Sequence, residues 1–329
     1  MSRLTVSVAI GDYDRHRPLI AGDVRIDGVA PVFMTLPPEE IFFRAMRTED
    51  FDICELSLSS FCVRTARGDN SYVGVPAFVS RAFRHNCIYV RTDRVKEPQD
   101  LAGRTIGVPE YQLTANVWAR AILQDDYAVS PCDVRWIRAG IEEPHRPEKI
   151  AIELPANVHL ENGPPGKSLS QLLQEGAIDG FIAPRPPRLA GSESLPIGWL
   201  FPDPVAAAQD YFRRTGIFPI MHLIGVRRTL AERHPWLPAA VLKAFEASKA
   251  LALEALSDTS AAKVTLPFLE EQLRAARALL GRDYWPYGVA ANRHPLETFL
   301  RHHHQQGLSS RRLTVEELFH PATLERYSI

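Results

Sequence analysis

Phe51-Asp52-Ile53-Cys54-Glu55-Leu56 and Ala177-Ile178-Asp179-Gly180-Phe181-Ile182-Ala183 are two apolar runs, each with one aspartate near its start. Each follows a short helical pattern and an acidic turn. Glu39 to Met46, after Pro37-Pro38, supplies the first helix, and Ser170 to Gln174, closed by Glu175-Gly176, supplies the second. Apolar runs of this length read as buried strands. Helix, acidic turn, Asp-bearing strand and polar loop therefore occur twice, either as generic βα repetition or as two related lobes.

Working outward, Leu4 to Ile10 is a β-branched strand closed by Gly11. Leu101 to Pro109 is a Gly-punctuated turn and strand leading to Glu110-Tyr111-Gln112. Thr114 then opens a helix with Val117, Trp118, Ala121 and Ile122 on one face. Gly140 to Pro165, rich in proline and charge, reads as an irregular insertion. Phe218 to Val226 is an apolar strand interrupted by His222. From Trp236 the pattern is helical, with Val241-Leu242, Phe245 and Leu251 to Leu256 as faces, followed by Phe268 to Leu280, Pro295 to Gln306 and Val315 to Phe319. The pattern predicts a two-lobed α/β protein with a helical C-terminal region. Lobe 1 is expected to comprise residues 1–90 and 217–329, and lobe 2 residues 91–216. A ligand is expected in the cleft between the lobes, at strand carboxyl ends.

The 329 residues carry 38 Lys+Arg against 39 Asp+Glu, a formal charge of −1, which argues against binding nucleic acid through bulk charge. A hydrophobic fraction of 45% with 23% charged residues predicts a packed core. Of the basic residues 32 are arginine and 6 lysine. Genomic codon bias is one explanation, and the bidentate fit of guanidinium to carboxylate is the other. Cys54, Cys62, Cys87 and Cys132 show no paired spacing and are expected to be reduced, mostly buried thiols. The N-terminal apolar run is broken by Asp12 and Asp14, and no window of 18 apolar residues occurs. The expectation is a soluble, cytoplasmic protein without membrane contact.

Five polar loops follow predicted strands: Gly11 to His16, Glu55 to Ser60, Ser80 to His85, Tyr111 to Thr114, and Arg185. Each has a structural alternative. Asp14 and Arg15 fit a surface ion pair, Ser59 and Ser60 fit caps of a helix starting near Phe61, and His222 fits a hydrogen-bonded core histidine. Arg81, Arg84 and His85, three potential cations in five residues, need an acidic partner or a ligand nearby. His302-His303-His304 cannot chelate one ion, since consecutive helical side chains diverge by about 100°, and a solvated helix face is expected instead. No H-E-x-x-H, G-x-S-x-G, Walker or G-x-G-x-x-G pattern is present.

These loops resemble the 4,5-dihydroxyphthalate decarboxylase family, relatives of periplasmic solute-binding proteins. The resemblance rests on Gly11-Asp12-Tyr13-Asp14-Arg15, Glu55-Leu56-Ser57, Ser80-Arg81-Ala82-Phe83-Arg84-His85 and Gly107-Val108-Pro109-Glu110-Tyr111-Gln112. It continues through Thr215 to His222, Trp285-Pro286-Tyr287-Gly288 and Gln306-Gly307-Leu308. Val79 and Asn86 stand where the family often has proline and serine, and are positions where substrate preference is expected to change. The resemblance implies a two-lobed periplasmic-binding-protein-like (type 2) fold. It also implies conversion of 4,5-dihydroxyphthalate to 3,4-dihydroxybenzoate and CO2 in aromatic degradation.

For such a substrate a bare aryl carbanion is prohibitively unstable. The hydroxyl para to the departing carboxylate can instead push electrons into the ring, so that the ipso carbon is protonated before CO2 leaves, with no electron-sink cofactor. The candidate proton donors are His85 and then His16. Glu55 or Asp14 is the candidate acceptor for the hydroxyl proton, with Asp12 and His222 in reserve. Substrate-binding candidates are Arg15, Ser57, Ser60, Arg81, Arg84, Tyr111, Gln112, Thr114, Arg185 and His222, with Arg81, Arg84 and Arg185 as a carboxylate clamp assisted by Thr114 and the serine-capped helix end. No cofactor is expected, although Glu55, Asp12, Asp14 and the nearby histidines leave a divalent metal open. The expected partner is a small aromatic dicarboxylate, and a homo-oligomer is compatible with the sequence. The competing readings are a non-catalytic receptor for an aromatic or dicarboxylate anion and a decarboxylase of another hydroxylated aromatic acid.

Overall fold

The computed structural model describes residues 3–188 and 195–325. The strands are β1 Leu4–Ile10, β2 Val29–Thr35, β3 Ile53–Ser57, β4 Tyr72–Arg81, β5 Ile88–Arg91, β6 Thr105–Val108, β7 Arg135–Arg138, β8 Leu160–Asn162, β9 Gly180–Ile182, β10 Ile197–Trp199 and β11 Ile220–Arg227. The helices are α1 Arg17–Ala21, α2 Pro38–Arg47, α3 Leu58–Arg67, α4 Thr114–Tyr127, α5 Leu169–Gln174, α6 Pro204–Thr215, α7 Arg228–Arg233, α8 Leu237–Ala255, α9 Leu269–Leu280 and α10 Arg293–Gln305. No helix among the described residues is long and apolar enough to cross a membrane.

The chain forms two compact units. The first contains residues 3–81, Ile220–Glu297 and 313–325, and the second residues 82–188, 195–219 and Thr298–Arg312. In the first unit the sheet order is β2-β1-β3-β11-β4, with β1 parallel to β2 and β3, and β11 antiparallel to β3 and β4. In the second the order is β10-β5-β9-β6-β7-β8, with β6 parallel to β7 and β9, and β5 antiparallel to β9 and β10. From β7 to β10 this is the order and direction of the first sheet, and only β8 is added. The repeat read around Asp52 and Asp179 is thus a repeat of topology.

The two aspartates do the same work. Asp52 Oδ2 accepts the backbone N–H of Ser7 at 2.9 Å, and Asp179 Oδ2 accepts that of Thr105 at 3.1 Å, tying each strand start to the neighbouring parallel strand. Each also meets an arginine, Arg227 at 3.5 Å and Arg94 at 3.1 Å. Fully buried side chains from adjacent strands, among them Val8, Ile10, Ile53, Leu56, Leu223 and Ile224, fill the first core. Leu169, Leu173, Ile178 and Phe181 fill the second.

The helices obey local rules. α2 opens with proline and places Glu39 and Glu40 in its first turn and Arg44 and Arg47 in its last, matching the helix dipole. Its buried face, Ile41, Phe42, Ala45 and Met46, lies over β3. α8 buries Val241, Ala244, Phe245, Ser248 and Ala252, one stripe at helical spacing.

Two expectations fail. α3 begins at Leu58 directly from β3, so Ser59 and Ser60 lie within its first turn, fully buried, and do not cap a helix starting near Phe61. The strand leaves no turn residue to spare, and Ser57 takes the cap position. His302 and His303 are also fully buried and form no solvated face. His302 Nε2 pairs with Asp125 at 2.8 Å and His303 Nδ1 with Ser309 at 3.1 Å, because this stretch of α10 packs within the second unit. The insertion is irregular as expected, apart from β8, but buried contacts anchor it. Glu110, fully buried, takes Arg146 at 3.0 Å and Lys149 at 2.6 Å from it, and Gln112 Nε2 reaches Ile150 O at 3.0 Å.

Asp52→Ala and Asp179→Ala each remove a hydrogen bond to a charged acceptor, so each is expected to lower stability by about 2 kcal/mol in urea titration. A loss under about 0.5 kcal/mol, the range of neutral surface changes, would show that the repeated aspartate is not structural.

Candidate active site

The first unit gathers its chemistry at the carboxyl ends of β1 and β3. On the antiparallel pair β3/β11, Glu55 faces Ile224 and Ser57 faces His222, so Glu55 and His222 are diagonal neighbours on one face of the sheet. Glu55 is fully buried, and both of its oxygens are engaged. Oε1 accepts His222 Nδ1 at 2.6 Å and the Tyr13 hydroxyl at 2.9 Å, while Oε2 accepts the Gly11 backbone N–H at 3.0 Å. Burial alone would raise the Glu55 pKa. The His222 hydrogen bond and charge, then His16 and Tyr13, outweigh it and hold the carboxyl below the ordinary value. The carboxylate fixes the proton on His222 Nδ1 and leaves Nε2 as the reactive nitrogen. Phe42 from α2 sets its ring against the imidazole edge-on, with centroids 4.8 Å apart.

Gly11 permits this arrangement. A Cβ there would stand 2.6 Å from Tyr13 Cζ, so any side chain would push Tyr13 off Glu55. The Gly11 carbonyl accepts His16 Nδ1 at 2.9 Å, and His16 is fully buried with its ring against Phe245. Because a carbonyl only accepts, Nδ1 carries the proton and Nε2 is a bare acceptor, with no hydrogen-bond partner among the described residues. Burial depresses this imidazole to about 4.

β4 supplies the other wall. Its pairing with β11 shifts register on both sides of His222, with Ser80 opposite His222 and Val75 opposite Ile224. Pro76, which lacks an N–H, lies in the intervening stretch. The carbonyls released there are taken by groups from elsewhere: Pro76 O by Gly288 N at 2.8 Å, Phe78 O by the Trp285 indole at 2.8 Å, and Val79 O by Arg15 Nε at 2.7 Å. The Arg15 guanidinium lies 4.2 Å from the Tyr13 ring centroid and 4.7 Å from that of Trp285, and its Nη1 meets Asp14 at 3.2 Å. Arg81, also buried, donates to Pro286 O at 2.8 Å and to the Asn292 side chain. Asp14 and Asp12 are surface groups paired with Arg15 and Arg17. Among the described residues no three His, Cys, Asp or Glu side chains group so as to hold a metal ion.

The predicted residues of the second unit are differently placed. His85 is buried against Phe201 and Tyr211, with ring centroids 5.1 and 5.4 Å away, and burial takes it to about 4. Arg84 is half-buried beside it, and Arg185 is exposed. Tyr111 is wholly buried beneath the Arg120 guanidinium, 3.8 Å from its centroid, and Thr114 is the buried first residue of α4. The structure thus brings Asp14, Arg15, His16, Glu55, Ser57, Arg81 and His222 together in one unit, with Tyr13, Trp285 and Tyr287. The last three were not singled out from sequence. Trp285 and Tyr287 drew notice only as part of a family motif, and an aromatic residue in a loop carries no signal of its contacts.

Two buried neutral histidines make stability depend on pH. The unfolded chain takes up protons near 6.5, whereas folded His16 and His85 do so only near 4. Their contribution is complete above pH 6.5 and is lost as pH falls from 6.5 towards 4, by up to about 3 kcal/mol per ring. The urea midpoint is expected to fall between pH 7.5 and 5, and to fall less in His85→Phe. A midpoint constant over that range would refute the assignment.

No protein-family model matches the chain. It is 58% identical over 330 residues, covering 100% of both chains, to a 4,5-dihydroxyphthalate decarboxylase of Comamonas testosteroni. It is 51% identical over 214 residues, 65% of this chain and 83% of the relative, to a 4,5-dihydroxyphthalate decarboxylase of Pseudomonas putida. Among solved structures it is similar to the periplasmic aliphatic sulphonate binding protein SsuA from Escherichia coli, with TM-score 0.53, 12% identity, and 98% and 99% of the two chains covered. It is also similar to the alkanesulfonate-binding protein SsuA from Xanthomonas axonopodis pv. citri, with TM-score 0.52, 13% identity and 98% of each chain covered. At these identities the structural likeness shows the fold alone, that of the periplasmic-binding-protein-like α/β proteins. Identity of 58% sustained from end to end shows more: the chain belongs to the 4,5-dihydroxyphthalate decarboxylase family.

Proposed function

We propose that the protein is a carboxy-lyase that converts 4,5-dihydroxyphthalate to 3,4-dihydroxybenzoate and CO2 in aromatic degradation. The observation that carries the reading is the buried Glu55 carboxylate holding His222 and Tyr13 in fixed orientation, in a chain whose full-length relative bears that activity in its name. A cytoplasmic setting is part of the proposal. The four cysteines are unbridged, as thiols remain in a reducing compartment.

Replacing a carboxylate by hydrogen consumes one proton: the carboxylate and a proton give CO2 and the ring C–H. In the proposed mechanism the protonated Nε2 of His222 delivers that proton to the ring carbon bearing the departing carboxylate. The para hydroxyl releases its own proton to solvent, both Glu55 oxygens being engaged, and pushes an electron pair into the ring. CO2 then leaves, the C–C bond pair restores aromaticity, and the oxygen is reprotonated. Glu55 stabilises the imidazolium and keeps the Nδ1 proton in place, the role a buried carboxylate plays beside any histidine acid–base. Arg15 and Arg81 supply a positive field for the substrate's two carboxylates, with part of their hydrogen-bonding capacity given to the Val79 and Pro286 carbonyls and to Asn292. His85, neutral near pH 7 with its Nδ1 lacking a hydrogen-bond partner among the described residues, is the weaker candidate for the acid.

Chelator-treated protein incubated with 4,5-dihydroxyphthalate is expected to release CO2 and shift the ring absorbance. Binding without turnover would instead favour an anion receptor, and turnover restored only by added divalent metal would favour a metal-assisted enzyme. His222→Gln and Glu55→Gln are expected to fold with a lowered melting temperature and to lose at least about a hundredfold in kcat, the range for general acid catalysis. Near-parental turnover in His222→Gln, alongside an inactive His85→Ala, would transfer the role to His85.

A further inference from the structure

The turn Trp285-Pro286-Tyr287-Gly288 is held more firmly than a surface connection requires. Lys249 Nζ donates to Trp285 O at 2.8 Å, and Arg81 donates to Pro286 O at 2.8 Å. Asn292 Nδ2 donates to Pro286 O at 3.0 Å and to Gly288 O at 2.7 Å, and Gly288 N closes onto Pro76 O at 2.8 Å. Lys249 Nζ also lies 4.8 Å from the Tyr287 ring centroid. All this fixes one side chain, Tyr287, which is 1% exposed. Its hydroxyl nevertheless has no hydrogen-bond partner among the described residues. A buried phenol with an unused donor is costly unless something supplies an acceptor.

The surroundings specify that acceptor. Arg15, Arg81, Glu55 and Asp14 all act electrostatically on the Tyr287 hydroxyl. Both oxygens of Glu55 are already taken, and Asp14 holds Arg15. The two guanidinium groups bring positive charge, while much of their hydrogen-bonding capacity goes to carbonyls and to Asn292. A carboxylate, an acceptor without a donor, is the ligand group that gains from such a field and still needs a neutral donor to orient it. Burial raises the phenol's pKa, so it keeps its proton.

We infer that the Tyr287 hydroxyl donates a hydrogen bond to a carboxylate of the aromatic substrate and so positions the ring, an assignment that rests on the decarboxylase reading above. Tyr287 is then a binding and specificity residue distinct from the Glu55–His222 pair.

Phthalate, which carries both carboxylates and no ring hydroxyl, is the probe, with catechol as its complement. By calorimetry Tyr287→Phe is expected to bind phthalate at least about tenfold more weakly than the parent, the loss of one hydrogen bond to a charged group, and to bind catechol equally well. Unchanged phthalate affinity, no phthalate binding by the parent at millimolar concentration, or equal loss of both ligands would overturn the assignment. If Tyr287→Phe does not fold, 3-fluorotyrosine placed at position 287 alone retains the hydroxyl. Its fluorine resonance should move with phthalate and not with catechol, and no movement with phthalate overturns the proposal. Phthalate binding through Tyr287 without CO2 release from 4,5-dihydroxyphthalate would sink the proposed reaction and leave the assignment standing. Turnover with a fully competent Tyr287→Phe would do the reverse.

Discussion

A carboxylate with no exposure to water must be satisfied by fixed donors, and Glu55 sets the terms for everything around it. Three donors from two segments meet on it: the Gly11 N–H and the Tyr13 hydroxyl from the loop after β1, and His222 Nδ1 on β11. The sheet order places β3 between β1 and β11, so its carboxyl end is within reach of both. A glycine is needed where Tyr13 crosses the backbone. The same contacts that offset the cost of burying the charge define the tautomer of His222. Stability and chemistry here share their hydrogen bonds, and removing one partner disturbs both.

The second constraint is the irregularity of β4. A regular strand would spend its carbonyls on the ladder, whereas the stretch from Pro76 to Val79 presents three of them to Gly288, Trp285 and Arg15. Arginine suits this work better than lysine. Its planar fork bonds the Val79 carbonyl while its faces lie against Tyr13 and Trp285. Arg15, read from sequence as a substrate contact, is first a backbone clamp that fixes the position of a positive charge.

What could be read from the sequence follows from which forces are local. The repeated helix, turn and Asp-bearing strand was legible because apolar period and turn chemistry are written along the chain. Glu55 and His222 were each noticed, one as a base and one as a reserve contact, but their pairing was not. Residues 55 and 222 become neighbours only through the β3/β11 register, which tertiary packing sets. Ser59 and Ser60 were displaced because strand passes to helix with no intervening turn. His302 and His303 looked solvated because a triple histidine is polar by composition, whereas Asp125 and Ser309, distant or unremarkable in sequence, let them be buried.

The two sheets share a topology, and comparing them residue by residue shows what distinguishes the one that carries the site. Asp52 corresponds to Asp179 and Ser7 to Thr105, by their matching hydrogen bonds. Extending this register along the strands, Glu55 corresponds to Ile182, which is fully buried and pairs with Ile88 as Glu55 pairs with Ile224. Two residues before those partners, His222 corresponds to Asn86. Gly11, one place past Ile10 at the end of β1, corresponds to Pro109, one place past Val108 at the end of β6, and proline has no N–H to give. At the corresponding positions the second unit therefore has no buried carboxylate, no glycine N–H and no histidine, and keeps only the tyrosine, Tyr111 in place of Tyr13. The polar trio is interdependent, since a buried glutamate without its glycine N–H and its histidine would be an unpaired charge, and those donors without the glutamate would be orphans.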